Sequence, residues 1–287
     1  MGGLCAILGD IKLSHSVFAL PFAMVGLLLG TRGAPPSPRV LVLVLVALVC
    51  ARSAAMAFNR LADHRYDATN PRTAGRALPA GRVSRRAMGT FAAASAAGFL
   101  LAAAGLGRTC LRLAPLVLVV LLAYSLTKRV TKWAHAFVGL ALALAPPAAY
   151  LAARGEVGED VRPVLWLAAS VLLWVGGFDV LYACQDVEHD RREGLHSLPA
   201  AWGVPRALAV ARLAHAGMLA ALATALAGAG LGALSWVALA LVGALLLVEH
   251  GLVAGGRLER IPMAFFTLNG VVGLVFGALV CWDLMRP

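Results

Sequence analysis

Charge is what this sequence has least of. Asp, Glu, Lys and Arg make up 14% of its 287 residues, against about a quarter in soluble globular chains. Acids are the scarcer sign, 14 against 25 Lys and Arg. So little charge beside a hydrophobic fraction of 61% excludes an ordinary water-soluble domain. Cys5, Cys50, Cys110, Cys184 and Cys281 show no C-x-x-C pair or zinc spacing, and most fall in apolar runs where a thiol packs as a small hydrophobe. His15, His64, His135, His189, His196, His215 and His250 form no metal-ligand spacing and are read as interfacial or packing residues. G-x-S-x-G, Walker-loop and H-E-x-x-H patterns are missing, so hydrolase, ATPase and zinc-protease readings lack support. The opening MGGLCAILGDIKLSHS carries no cleavable signal pattern, because Asp10 and Lys12 follow a very short apolar stretch. A net charge of +11 does not point to nucleic acid, since the basic residues are scattered through short loops with no continuous basic face.

What the chain does have is apolar runs of about 20 residues, each long enough to cross a hydrocarbon core of about 30 Å. The runs and the turn signals between them predict nine helices, near 14–31, 39–64, 84–106, 111–127, 133–153, 162–187, 204–228, 231–254 and 261–284. The expected fold is an all-α membrane bundle, a single domain over 1–287 in contact with lipid. With the N-terminus on one side, sixteen of the Lys and Arg fall on that side and seven on the other. The excess places the N-terminus and the polar loops in the cytoplasm. The two longest polar loops follow the second and sixth helices and both open with acids, so helices 1–4 and 5–8 read as a possible internal repeat.

Those two loops hold most of the acids. Asn59, Asp63 and Asp67 are spaced by four, which stacks their side chains along one helix face. Asp186 and Asp190 repeat the spacing in FDVLYACQDVEHDRREGLHS, with Asp179 one apolar stretch earlier. Oxygen ligands suit Mg²⁺, which takes one or two carboxylates and completes its shell with water and substrate phosphate. A single D-x-x-x-D is more often a solvated cap with surface ion pairs of about 0–1 kcal/mol. Two stripes facing each other across a bundle favour divalent ions holding a diphosphate instead. Asp179 lies in the apolar context WVGGFDVLYACQD, where an ionised group is expensive and marks function. Arg52 lies similarly within VALVCARSAAMAFN, seven residues before Asn59 and on its face. Its bland reading is snorkelling to the interface, but its depth favours a polar cavity. YSLTKRVTKW adds Tyr124, Lys128, Arg129 and Lys132; alone it would be a positive-inside anchor, and beside a diphosphate Lys128 and Arg129 become candidates to neutralise the leaving group.

The residues resemble the UbiA-type intramembrane prenyltransferases. NRLADHRYDATNPRTAGRALPAG is similar to the family's N-D-x-x-D-x-x-x-D motif and its arginine-rich continuation, and Asp179, Tyr182, Asp186 and Asp190 fit D-x-x-Y-x-x-x-D-x-x-x-D. Tyr124, Lys128, Arg129 and Arg52 fit the family's Tyr-x-x-x-Lys-Arg and its upstream arginine. One position departs: the acid expected after the first asparagine is Arg60. The resemblance, nearest to the 4-hydroxybenzoate polyprenyltransferase-like subgroup, implies nine helices around a central cavity with a cytoplasmic polar cap. It implies Mg²⁺-dependent transfer of a polyprenyl group from its diphosphate to an aromatic acid in quinone biosynthesis. The acceptor is a 4-hydroxybenzoate or, in the futalosine route to menaquinone, 1,4-dihydroxy-6-naphthoate. Asn59, Asp63, Asp67, Asp186 and Asp190 would hold metal; Arg52, Arg72 and Tyr124 would bind substrate; Asp179, Lys128, Arg129 and Tyr182 would act in catalysis. The competing class is a transporter, whose inverted repeat would put corresponding acids on opposite faces of the membrane rather than on one.

Overall fold

A computed structural model describes residues 2–11, 18–257, 259, 261 and 267–286. Among the described residues it is all helical: α1 (Gly2–Asp10), α2 (Leu20–Gly30), α3 (Pro38–Ala62), α4 (His64–Thr69), α5 (Arg85–Leu106), α6 (Arg108–Thr127), α7 (Ala134–Ala143), α8 (Ala145–Arg154), α9 (Arg162–Ala183), α10 (Val187–Arg192), α11 (Leu198–Trp202), α12 (Val204–Gly228), α13 (Ala233–Leu252) and α14 (Asn269–Met285). Seven helical segments are long and apolar enough to cross a membrane, α7 and α8 counting together. The chain is an integral membrane protein. The first and last expected spans are represented by the shorter apolar helices α2 and α14; the remainder of those expectations, at 14–17 and 262–266, lies outside the described residues, as does Lys12. Nine full spans are therefore not established.

Three expected helices end or divide differently. The one expected over 39–64 stops at Ala62, because Asp63 (φ −92°, ψ 5°) leaves helical geometry, and α4 follows at once. The one expected over 162–187 stops at Ala183, with Asp186 (φ −109°, ψ 10°) as the cap of α10. The one expected over 133–153 divides at Leu144, ahead of Pro146 and Pro147, which have no N–H to continue the ladder.

α9 is the most enclosed of the candidate spans and packs between α7 and α12; α3 packs on α5, α2 on α8, and α13 on α14. One side of α9 meets an aromatic cluster. The Phe22 ring stacks on Phe276 at 4.9 Å and lies 5.1 Å from Trp174, whose edge-to-face partner Phe178 is 5.3 Å away. Where backbones come closest, glycine is the residue present, as is common between membrane helices. A Cβ at Gly26 of α2 would stand 2.3 Å from the Pro146 carbonyl oxygen of α8, and one at Gly139 of α7 would stand 2.4 Å from the Leu172 carbonyl of α9. Many large apolar side chains, among them Leu101, Leu116, Leu213 and Leu247, point outward and form the lipid-facing surface.

Gly26→Ala is expected to destabilise the protein by about 1–3 kcal/mol, the usual effect of overpacking, read as a lower melting temperature in detergent. Gly89→Ala, whose new methyl would meet only Leu61 at 4.0 Å, should be neutral or stabilising through helix propensity. Equal melting temperatures for both variants would contradict this packing.

Candidate active site

A cavity of about 710 Å³ lies between α2, α3, α5, α6, α7, α8 and α9. Its composition changes along the helices that line it. On α3 the wall runs from Val44 and Leu48 through Arg52 to Asn59 and Arg60, and on α6 from Leu113 and Val117 to Tyr124 and Lys128. On α9 and just beyond, it runs from Val175 to Asp179, Tyr182 and Asp186. All three helices deliver their C-terminal ends to the polar end. From Val44 to Arg60 is about 24 Å along an α-helix at 1.5 Å per residue, with Arg52 halfway and the apolar part of the wall beyond it.

The polar end is a lattice of pairs joining the two acidic segments. Arg72 grips Asp186 with two groups, Nε to Oδ1 at 3.0 Å and Nη2 to Oδ2, and its Nη1 donates to the Tyr182 hydroxyl. Asn70 completes the grip: its amide donates to Asp186 Oδ1 at 3.0 Å while its oxygen accepts from the Arg72 backbone N–H at 2.9 Å. Burial opposes charge on both partners, but the bonds and mutual field win: the Asp186 carboxyl is held below the usual carboxylate range and the Arg72 guanidinium above its ordinary value. Arg76 Nη1 contacts both Asp67 oxygens at 2.7 Å. Lys128 Nζ stands 3.8 Å from Asp190 Oδ2. Burial lowers the Lys128 ammonium, yet Asp190, Asp179, Asp186 and Asp63 together raise it above its ordinary value.

The first stripe is more complicated than its spacing suggests. Asn59 donates to Asp63 Oδ2 at 2.8 Å, and its oxygen accepts from Arg60 Nη1 at 2.8 Å. Arg60, 4% exposed, reaches the Asp10 carbonyl at 3.4 Å and so ties α1 to the site. The residue that departs from the family pattern thus holds the Asn59 oxygen. Burial, with Asp67 as a second negative neighbour, pushes the Asp63 carboxyl above the usual range against the pull of Lys128, Arg129 and Asn59.

Eleven of the twelve sequence-predicted residues line this cavity: Arg52, Asn59, Asp63, Asp67, Arg72, Tyr124, Lys128, Asp179, Tyr182, Asp186 and Asp190. Arg129 does not. It stands behind the wall, donating to the Ala62 carbonyl at 2.6 Å, 3.7 Å from Asp63 Oδ1 and over the Tyr66 ring at 5.5 Å. Sequence reasoning missed Asn70, Arg76 and His135. Asn70 and Arg76 sat in plain view in NPRTAGR as a turn and a basic run. His135, whose Nδ1 is 2.7 Å from Asp179 Oδ2, is 44 residues away from its partner with no spacing to betray it.

The chain's match to known proteins agrees with this geometry. The profile described as UbiA prenyltransferase family matches residues 19–271. The chain belongs to the UbiA prenyltransferase family. It is an enzyme, and membership sets the transporter reading aside. Curated relatives of this family member include the 4-hydroxybenzoate octaprenyltransferase of Aliivibrio fischeri, 31% identical over 85% of this chain and 84% of that one. That of Nitrosospira multiformis is 31% identical over 91% and 88%. Among solved structures, the apo UbiA homologue from Aeropyrum pernix is 35% identical with a TM-score of 0.86, over 94% of this chain and 98% of that one. A UbiA homologue from Archaeoglobus fulgidus, bound to GPP and Mg²⁺, shares the fold at 20% identity and a TM-score of 0.76, over 98% and 99%.

The donor chemistry fits Mg²⁺, since every expected ligand is an oxygen. Asp190 Oδ2 is buried with no hydrogen-bond partner, an oxygen still able to take a cation. Among the described residues, however, no three Asp, Glu, His or Cys side chains converge as a metal group, because the carboxylates face arginine, lysine and amide partners.

Asp186→Asn should leave the fold melting within a few degrees of wild type, because Arg72 remains partly exposed to water. Its kcat/KM for polyprenyl diphosphate should fall by about a hundredfold or more. Near-wild-type turnover at saturating Mg²⁺ would contradict a central place for the Arg72–Asp186–Asn70 grip.

Proposed function

We propose that this aromatic prenyltransferase moves a polyprenyl group from its diphosphate to an aromatic carboxylic acid bearing a phenolic hydroxyl, in respiratory quinone biosynthesis. The observation that carries the reading is the graded cavity: charged groups gathered at one end, and beyond Arg52 an apolar wall built from Val44, Leu48 and Ala51 of α3 and Leu113, Leu116 and Val117 of α6. The names of the 4-hydroxybenzoate octaprenyltransferase relatives support a benzoate acceptor, and 1,4-dihydroxy-6-naphthoate offers the same carboxylate and phenol. The fold of homologues bound to GPP or DMAPP with Mg²⁺ supports a prenyl diphosphate and a divalent ion as ligands here. The bacterial relatives support a bacterial cytoplasmic membrane, and the lysine and arginine asymmetry favours the polar end inside.

In this reading Asn59, Asp63, Asp67, Asp186 and Asp190 hold Mg²⁺, which when bound supplies positive charge to the diphosphate oxygens. Arg60 already donates to the Asn59 oxygen, so a cation there would share that oxygen with the guanidinium or displace it. Arg72 and Lys128, with Arg129 behind them, offset the charge that grows on the diphosphate as the C1–O bond breaks and its electron pair departs with the leaving group. An allylic cation results, and Tyr182 faces it. Arg52 pairs its planar guanidinium with the acceptor carboxylate, with Tyr124 beside it in the wall. The ring carbon ortho to the phenolic oxygen attacks the cation. Its proton passes to the Asp179 carboxylate and aromaticity returns. Apolar walls keep water from capturing the cation first.

Membranes containing the protein, incubated with polyprenyl diphosphate, Mg²⁺ and each acceptor in turn, should give a product whose mass is acceptor plus prenyl minus one hydrogen. No product with either acid would overturn the assignment. Arg52→Ala should raise the KM of the acceptor much more than that of the diphosphate. An effect confined to the diphosphate would assign the arginine to the other substrate.

A further inference from the structure

α7 and α9 approach closely at Gly139, where a Cβ would collide with the Leu172 carbonyl. Nearby, Gly176 of α9 faces the His135 carbonyl, where a Cβ would make only an ordinary contact at 3.5 Å. That approach brings His135, 2% exposed, against Asp179 at 2.7 Å. The other ring nitrogen is also engaged: the Leu198 backbone N–H, at the start of α11, points at His135 Nε2 from 3.3 Å. A backbone N–H can only donate, so Nε2 presents its lone pair. The ring is then neutral with its hydrogen on Nδ1, directed at Asp179 Oδ2. Asp179 Oδ1 accepts no hydrogen bond among the described residues, and the side chain lines the cavity.

We propose that His135 is a positioning residue: it holds one oxygen of Asp179 so that the other is presented to the acceptor ring. The proposal rests on the reading of Asp179 as the group that takes the ring proton. His135 itself is not that group, because Nε2 would have to surrender the Leu198 bond to accept a proton, and Nδ1 already carries one. The same imidazole ties the segment that follows Asp190 to α7. Within that segment the His196 N–H bonds the Lys128 carbonyl at 2.6 Å, and Ser197 is fully buried. The loop of the second acidic motif and the carboxylate of the cavity wall therefore share one side chain.

Asparagine places an amide N–H close to where Nδ1 sits, and leucine has nearly the same shape without a donor. The test compares full-length wild type, His135→Asn, His135→Leu, Asp179→Asn and the His135→Leu/Asp179→Asn double variant with polyprenyl diphosphate, Mg²⁺ and the acceptor. A misplacement of about 1 Å can cost of order a hundredfold in rate. The leucine variant should accordingly lose up to about that much kcat with the KM of polyprenyl diphosphate unchanged. The asparagine variant should recover most of the loss, and leucine should add nothing to Asp179→Asn. Should leucine not fold, His135→Met is a second donor-free variant, methionine being adaptable in packing. Positioning is overturned alone if Asp179→Asn is slow while the donor-free variants turn over like wild type. It is equally overturned if asparagine and leucine are equally slow though both folded, or if the leucine defect multiplies that of Asp179→Asn. Wild-type kcat in Asp179→Asn overturns the reading of Asp179 and this proposal with it.

Discussion

Taking a carboxylate out of water costs several kcal/mol unless a partner meets it, and the polar end of this bundle is organised by that cost. Arg72 and Asp186 belong to different loops, 114 residues apart. Their pair, with Asn70 bridging, closes the cap over the cavity. It also links the ends of α3 and α9, since each loop leaves directly from the end of one of those helices. The other acids follow the same rule with different partners: Arg76 for Asp67, Lys128 for Asp190, Asn59 for Asp63, and His135 for Asp179. Most of the acids in a site built this way are paired before any ligand arrives, and the Asp190 Oδ2 oxygen is left without a hydrogen bond. Under the proposed function a cation would take that oxygen and exchange places elsewhere with partners already present.

Much of this was legible in the sequence, and what was not has a physical reason. Apolar run length locates the spans because hydrocarbon thickness sets it. The i, i+4 acids locate the cap because that spacing survives the end of the helix. Asp63 N–H still bonds the Asn59 carbonyl and Asp67 N–H the Asp63 carbonyl, at 2.9 and 2.8 Å, although Asp63 is no longer helical. For the same reason periodicity overran the ends of α3 and α9. Arg129 was read as Lys128's equal, but the chain turns at this helix end and sends neighbouring side chains in different directions. Asn70 and His135 find their partners 116 and 44 residues away, and nothing in local spacing encodes such pairings. Arg60 was visible as a departure from the family pattern. That its guanidinium would occupy the Asn59 oxygen was not.

The two faces of α9 divide the work. Toward α2, α12 and α14 it presents Trp174 to stacked aromatic rings that fix its position, toward the cavity it presents Asp179 and Tyr182, and Phe178 borders both. A carboxylate in the cavity wall gains precision from a rigid helix that a loop could not give it. Gly139, the α7 glycine that lets this helix approach α9, belongs to the same arrangement, because close helix approach is what puts a second polar group within reach.

The direction of the three cavity-lining helices has one more consequence. Phosphate sites are often built on helix N-termini, where free N–H groups and a positive dipole end greet the anion. Here α3, α6 and α9 all turn their C-terminal ends, carbonyls outward, toward the place where a diphosphate would rest. Under the proposed function the ends of these three helices would oppose the substrate head rather than cradle it, and its recognition would rest chiefly on the side chains of the polar end and on any cation brought along. Such recognition would follow the state of those side-chain charges and loosen as they are screened.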